Sequence, residues 1–189
     1  MTTVWTTPNT VTQYAEDPSH LEWNQNFDAL TSLMDGVSLT KPLEHISRQP
    51  RNDILMKSWY VKATGFSFED LPGVINGVKF RFSVRRGGRV FDDTVQLTVN
   101  DNLIGENRCQ NTVDPVQIYG GTTDLWGVPD LTSIVSDPSF GIVIRLKSHP
   151  AWPHKTTPIL NGLELRILYT KNIIKIVRQF SSNNPIRVV

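Results

Sequence analysis

The side chains able to do chemistry are few and scattered. His149 and His154 stand five residues apart in a proline-broken loop, and that spacing does not bring two imidazoles onto one face of a regular element, as a zinc site needs. Asp92 and Asp93, with Asn100, Asp101 and Asn102, carry the oxygen ligands that Ca²⁺ takes. The competing reading is turn chemistry for Asn-Asp-Asn. Asp93 falls in phase with an inward-facing set, as the cap of a bulge or the partner of a nearby arginine. Cys109 is the single cysteine, so no intramolecular disulfide forms. No local signature gives it the histidine and orienting group of a nucleophile. Gly87-Gly88 and Gly120-Gly121 lack the lysine and following helix of a phosphate loop, and neither Gly-x-Ser-x-Gly nor His-Glu-x-x-His occurs. The expectation is no catalytic residue, no cofactor and no metal: the chain is not read as an enzyme.

Aromatic residues are the other candidates. Five tryptophans are many for 189 residues. Trp and Tyr anchor protein interfaces and also stack on sugar rings. Trp59 and Trp126 read as core. Trp5, Tyr14, Trp23, Phe27 and Trp152, in arm or loop segments, are the interface candidates. A sugar platform would draw on Tyr119, Trp126 and Trp152.

The elements that position these residues follow from periodicity. Residues 1–56 are polar and irregular, with a possible short helix at Asn26–Met34, and read as an extended arm. Their large apolar residues are scattered without period, which suits anchoring on neighbouring chains; wrapping the chain's own sandwich is the alternative. From Trp59 the period becomes two. Val78, Phe80, Phe82 and Val84 alternate with Lys79, Arg81, Ser83 and Arg85, the pattern of a half-buried strand. Arg86-Gly87-Gly88-Arg89 is a turn, and Val90–Val99 follows with Phe91, Val95, Leu97 and Val99 in phase, so the pair reads as a β-hairpin. Leu103–Gly105 and Val116–Tyr119 are short strands, Pro129–Val135 one or two helical turns, and Phe140–Leu146 a strand with Phe140, Ile142, Ile144 and Leu146 inside. Leu163, Leu165, Ile167 and Tyr169 form another, and Ile173–Phe180 a last one. Many short strands without strand–helix alternation predict an all-β, antiparallel, jelly-roll-like β-sandwich with an extended N-terminal arm. The divisions are arm 1–56, sandwich 57–180 and tail 181–189.

Composition narrows the function classes. Apolar residues make up 39% and charged residues 20%, ordinary for a globular domain. A net charge of +1 gives no electrostatic reason to expect nucleic acid. The first eight residues lack a basic and an apolar region, so no signal peptide is expected, and the longest apolar runs are too short to span a bilayer.

One series of segments goes beyond composition: Gly65-Phe66-Ser67-Phe68, Leu71-Pro72-Gly73, Ile75-Asn76-Gly77-Val78, the Arg-rich strand Phe80–Arg86, Asp93-Thr94-Val95-Gln96-Leu97, Ile104-Gly105-Glu106-Asn107, Tyr119-Gly120-Gly121-Thr122-Thr123-Asp124-Leu125-Trp126-Gly127 and Phe140-Gly141-Ile142. This order, over roughly residues 59–170, resembles a β-sandwich domain of virion proteins of tailed bacteriophages and prophage-like elements. The stretch from Tyr119 to Gly127 is its most specific part, with Tyr119, Gly120, Gly121, Asp124, Trp126 and Gly127 as the structural motif. The arm matches loosely, and the chain continues past the usual final strand. The resemblance implies a structural component of a virion, in capsid decoration or cement, neck or tail, made in the host cytoplasm. Its partners would be other virion proteins and copies of itself. The alternative is a carbohydrate-binding or receptor-binding accessory module.

Overall fold

The computed structural model describes residues 5–16, 22–23, 37–38, 45–47, 53–55, 57–68, 71, 73–85, 90–111, 116–148 and 158–171. Twelve strands run in chain order: β1 (Trp5–Thr6), β2 (Thr10–Tyr14), β3 (Val37–Ser38), β4 (His45–Ser47), β5 (Asp53–Leu55), β6 (Tyr60–Thr64), β7 (Gly73–Arg85), β8 (Val90–Val99), β9 (Asn102–Ile104), β10 (Val116–Gly120), β11 (Gly141–Ser148) and β12 (Ile159–Lys171). One sheet has the order β1-β12-β7-β10, with β3 also on β12. The second has the order β2-β6-β11-β8-β9, and β4 and β5 pair separately. All pairings are antiparallel, and no helix occurs among the described residues. The predicted β-sandwich is therefore the fold.

Alternation explains the core. Val78, Phe80 and Phe82 of β7 and Leu165 and Ile167 of β12 belong to the first sheet. Val95 and Leu97 of β8 and Ile142 and Ile144 of β11 belong to the second, and all nine join one buried cluster. Val84 packs partly buried against it. Two sheets each with one apolar face bury both by stacking, about 10 Å apart.

Two local expectations change, and a third is settled between its two alternatives. The Arg86–Arg89 turn lies outside the described residues, but its flanking strands do not form a hairpin: β7 pairs with β12 and β10, and β8 with β11 and β9. The chain crosses from one sheet to the other between them. Alternation specifies which face is buried, not which strand lies alongside, and two strands with inward faces can meet face to face. The nested pairs β7·β12 and β8·β11 are the rolled arrangement of a jelly roll. Second, opposite β8 the register slips, Arg145 facing Thr94 and Leu146 facing Asp92, so Asp93 is an extra, bulged residue. The bulge resets the phase: Val90 enters the core and Phe91 does not. Third, Pro129–Val135 makes a single turn, closed by the amides of Ile134 and Val135 donating to the Leu131 carbonyl at 3.0 Å.

Of the described part of the arm, residues 5–16, Trp23 and β3 lie on the chain's own sandwich, while β4 and β5 pair with each other. β1 pairs with β12 and β2 with β6, joined by three residues, so one short stretch adds an edge strand to each sheet. The predicted helix at Asn26–Met34, the strand at Ile173–Phe180 and the 181–189 tail lie outside the described residues.

Candidate functional site

The predicted motif folds into a corner that joins the sheets. Tyr119 ends the inward series of β10, fully buried, its ring 5.5 Å from Phe82 and 6.3 Å from Phe80. Burial, then the charge of neighbouring Asp92, pushes its phenol far up, so it stays neutral. Gly120 has φ of 74°, and a Cβ there would lie 2.1 Å from the Val78 carbonyl oxygen. Only glycine fits that approach. Gly121 needs no such freedom: its φ is not positive, and a Cβ would meet ordinary contacts at 3.5 Å.

Asp124 organises the turn that follows. Its Oδ1 accepts the Trp126 amide at 2.8 Å and Arg108 Nη2 at 2.7 Å, while its carbonyl accepts the Val78 amide at 2.9 Å. Trp126 takes a left-handed φ of 58°, turns into the core fully buried, and donates Nε1–H to the Val78 carbonyl at 3.1 Å. Its own carbonyl accepts the Glu106 amide at 2.7 Å, next to Gly105, where a Cβ would collide with that carbonyl at 2.1 Å. Gly127, at φ 75°, continues the left-handed turn.

Asn107 completes the joint from the other sheet. Its Oδ1 accepts the amides of Val95 (2.9 Å) and Cys109 (3.1 Å), and its Nδ2 donates to the Asp93 carbonyl at 3.1 Å. The segments Ile104–Cys109 and Tyr119–Gly127 thus bolt β7 to β8 across the sandwich end. Asn107 and Arg108 had no assigned role in the sequence; the Ile-Gly-Glu-Asn run was the signal that marked the place. Burial removes Tyr119 and Trp126 as a sugar platform. It also pushes the Cys109 thiol up, away from nucleophilic reactivity.

The outer face of the second sheet carries the one dense ionic cluster among the described residues. The Arg145 side chain, 9% exposed, lies 4.3 Å over the Tyr60 ring. Its Nε donates to Asp93 Oδ2 at 2.7 Å and its Nη1 to Glu16 Oε2, which the Tyr60 hydroxyl also reaches, at 3.1 Å. Lys57 stands 3.3 Å from Asp93 Oδ2 and Lys147 3.6 Å from Oδ1. Burial alone would raise the Asp93 pKa; Arg145 and Lys57 more than offset it, and the carboxyl sits below its ordinary value. Asp92 faces the interior and Asp101 pairs with Lys62. The acidic residues considered for Ca²⁺ therefore do not converge.

The interface candidates divide. Trp23 is a correction: it is fully buried in its own core, its backbone amide and carbonyl held by the Gln13 side chain and its Nε1–H donating to the Trp59 carbonyl at 3.0 Å. Trp5, half-buried, lies between Arg81 (4.4 Å) and Arg166 (5.7 Å). Tyr14 is 38% exposed and stacks on Tyr60 at 5.0 Å. Beside it Thr12, Gln13, Lys62 and Asp101 border a cleft of about 390 Å³. Phe27, Trp152, His149 and His154 lie outside the described residues.

The sequence missed the most accessible apolar pair among the described residues. Val116 and Ile118, 55% and 53% exposed, stand together on the outer face of β10, the edge of the first sheet. Their alternation with buried Gln117 and Tyr119 was visible; their position on an edge was not. In comparisons with known proteins, no family model matches the chain, and neither a curated protein nor a solved structure matches it.

Proposed function

We propose that this chain is a structural component of a tailed-bacteriophage virion, in capsid decoration or cement, neck or tail, working through protein–protein contacts with copies of itself and other virion proteins. The observation that carries the reading is the β10 edge. A sheet edge exposing backbone groups is a template for another chain, and proteins that stay single blunt it with Lys, Pro or inward charges. β10 has none of these along its length; the Gln110 side chain takes up its Ile118 carbonyl at 3.0 Å, and the strand adds two adjacent apolar side chains more than half exposed. The motif resembling the phage sandwich supports the same role, since its residues are spent on joining the sheets and leave no reactive group.

The test is sedimentation of the purified chain, alone and with virions. Ordered oligomers or co-sedimentation support the proposal; a monomer at all concentrations that ignores virions rejects it. A second reading, carbohydrate binding, is favoured by the cleft beside Tyr14, where an aromatic ring stands next to a lysine, a carboxylate and a hydroxyl. Saturable glycan binding that is lost in Tyr14→Ala would favour it.

A further inference from the structure

We infer that residues 5–16 are exchanged between copies of this chain, each copy laying its β1–β2 stretch on the sandwich of a neighbour. The inference rests on the assembly reading above and names the partner and the element.

These residues behave as a ligand seated on a receptor. Trp5 fills the slot between Arg81 and Arg166, and the Thr6 hydroxyl donates to the Leu165 carbonyl at 3.2 Å. Pro8 is buried, the Asn9 amide donates to the Thr64 carbonyl at 3.1 Å, and Val11 packs on the core. Tyr14 stacks on Tyr60, and Glu16 is clamped by Arg145. Every one of these partners lies at residue 60 or later. The Gln13 side chain holds the Trp23 backbone at both its amide and its carbonyl, so Trp23 travels with the stretch. A neighbour presents the same slot, edges and clamp, so each contact forms equally well in trans.

The difference between cis and trans lies in the connection. Trp23 Nε1 stands 3.0 Å from the Trp59 carbonyl although 36 residues separate them in sequence. In cis the chain must leave and return to one place, touching down at β3 on β12. Closing such an excursion has an entropic cost that grows with its length. Thirteen residues, 24–36, precede that touchdown, and extended they reach on the order of 40 Å, enough for an adjacent sandwich. In trans the closure cost vanishes and an association cost replaces it. High local concentration, as on a particle, lowers the second and leaves the first unchanged.

The test uses register partners. Thr10 lies opposite Thr64 in the β2–β6 ladder. In a Cys109→Ser background, the double variant Thr10→Cys/Thr64→Cys is oxidised at high dilution, and an intrachain bond establishes that the pair reacts. Full-length chains carrying only Thr10→Cys and only Thr64→Cys are then mixed in denaturant, refolded together at high concentration and oxidised, with their mass distribution measured in parallel. Exchange gives a covalent heterodimer at least several-fold above the homodimer of either chain alone. Oligomers without that heterodimer overturn the exchange and leave the assembly reading standing. Monomers at every concentration overturn the exchange, and overturn the assembly reading with it when they also fail to co-sediment with virions.

Discussion

Asp93 Oδ2 lies 2.7 Å from Arg145 Nε at the one residue that β8 carries beyond its partner strand. The bulge turns Asp93 out of the core series and aims it at the guanidinium. Its folded pKa is held below the ordinary carboxylate value, so its contribution is present above the unfolded pKa and lost as pH falls through the folded one. Thermal stability should therefore drop below about pH 4, and the drop should be smaller in Asp93→Asn. At pH 7 Asp93→Ala should cost about 3 kcal/mol by denaturant titration.

Trp126→Ala should cost about 3–5 kcal/mol through the cavity alone. Trp126→Phe keeps most of the volume but leaves the Val78 carbonyl without its donor, and should cost about 1–3 kcal/mol. Unfolding in urea, followed by circular dichroism, measures both. Equal stability of all three chains would remove the motif's folding role.

The two adjacent glycines should separate cleanly. Gly120→Ala must move the Val78 carbonyl or break the left-handed turn, and should destabilise by more than 2 kcal/mol or so. Gly121→Ala should stay within about 0.5 kcal/mol of the natural chain. Similar losses at both positions would contradict the geometry.

Removing the arm should cost stability. The chain beginning at residue 57 lacks Trp23 and Val11, both packed into the core cluster. Trp23→Ala alone should cost about 3–5 kcal/mol. A truncated domain as stable as the full chain would show that the arm belongs elsewhere.

Ile118→Lys puts a charge on the β10 edge without touching the interior. Folding stability should change by no more than about 0.5 kcal/mol, while sedimentation of oligomers or attachment to virions should be lost. Undiminished assembly would move the contact surface away from β10.

Strands were legible where a face is buried. Phe80, Phe82, Leu97, Ile142 and Leu165 alternate with polar residues because the pleat demands it. Strand neighbours were not legible: a Gly-Gly turn between two amphipathic strands serves a hairpin or a crossing equally well, and β7 and β8 chose the crossing. The phase of Phe91 was lost at a bulge that alternation does not encode. Trp23 misled because one core residue inside a polar segment has no periodic neighbours to reveal its partner. Of the corner, Gly120, Asp124 and Trp126 were legible as a structured loop. Asn107 and Arg108 were not, since their partners are brought near only by the stacking of the sheets.

The Thr6 hydroxyl bonds the Leu165 carbonyl across 159 residues of sequence, and β12 is the central strand between β1 and β7. During synthesis β1 leaves the ribosome long before β12 and must wait for it before it has a partner. Until residues 159–171 emerge, one long edge of β7 stays open. In the second sheet β2 can pair with β6 and β8 with β9 early, but the two halves join only after β11 arrives between β6 and β8. Such a chain acquires most of its native contacts late, and folding dominated by distant pairings is slow. In the cell the newly made protein therefore passes through an interval with its apolar faces uncovered, when self-association and capture by chaperones compete with completion of the sandwich.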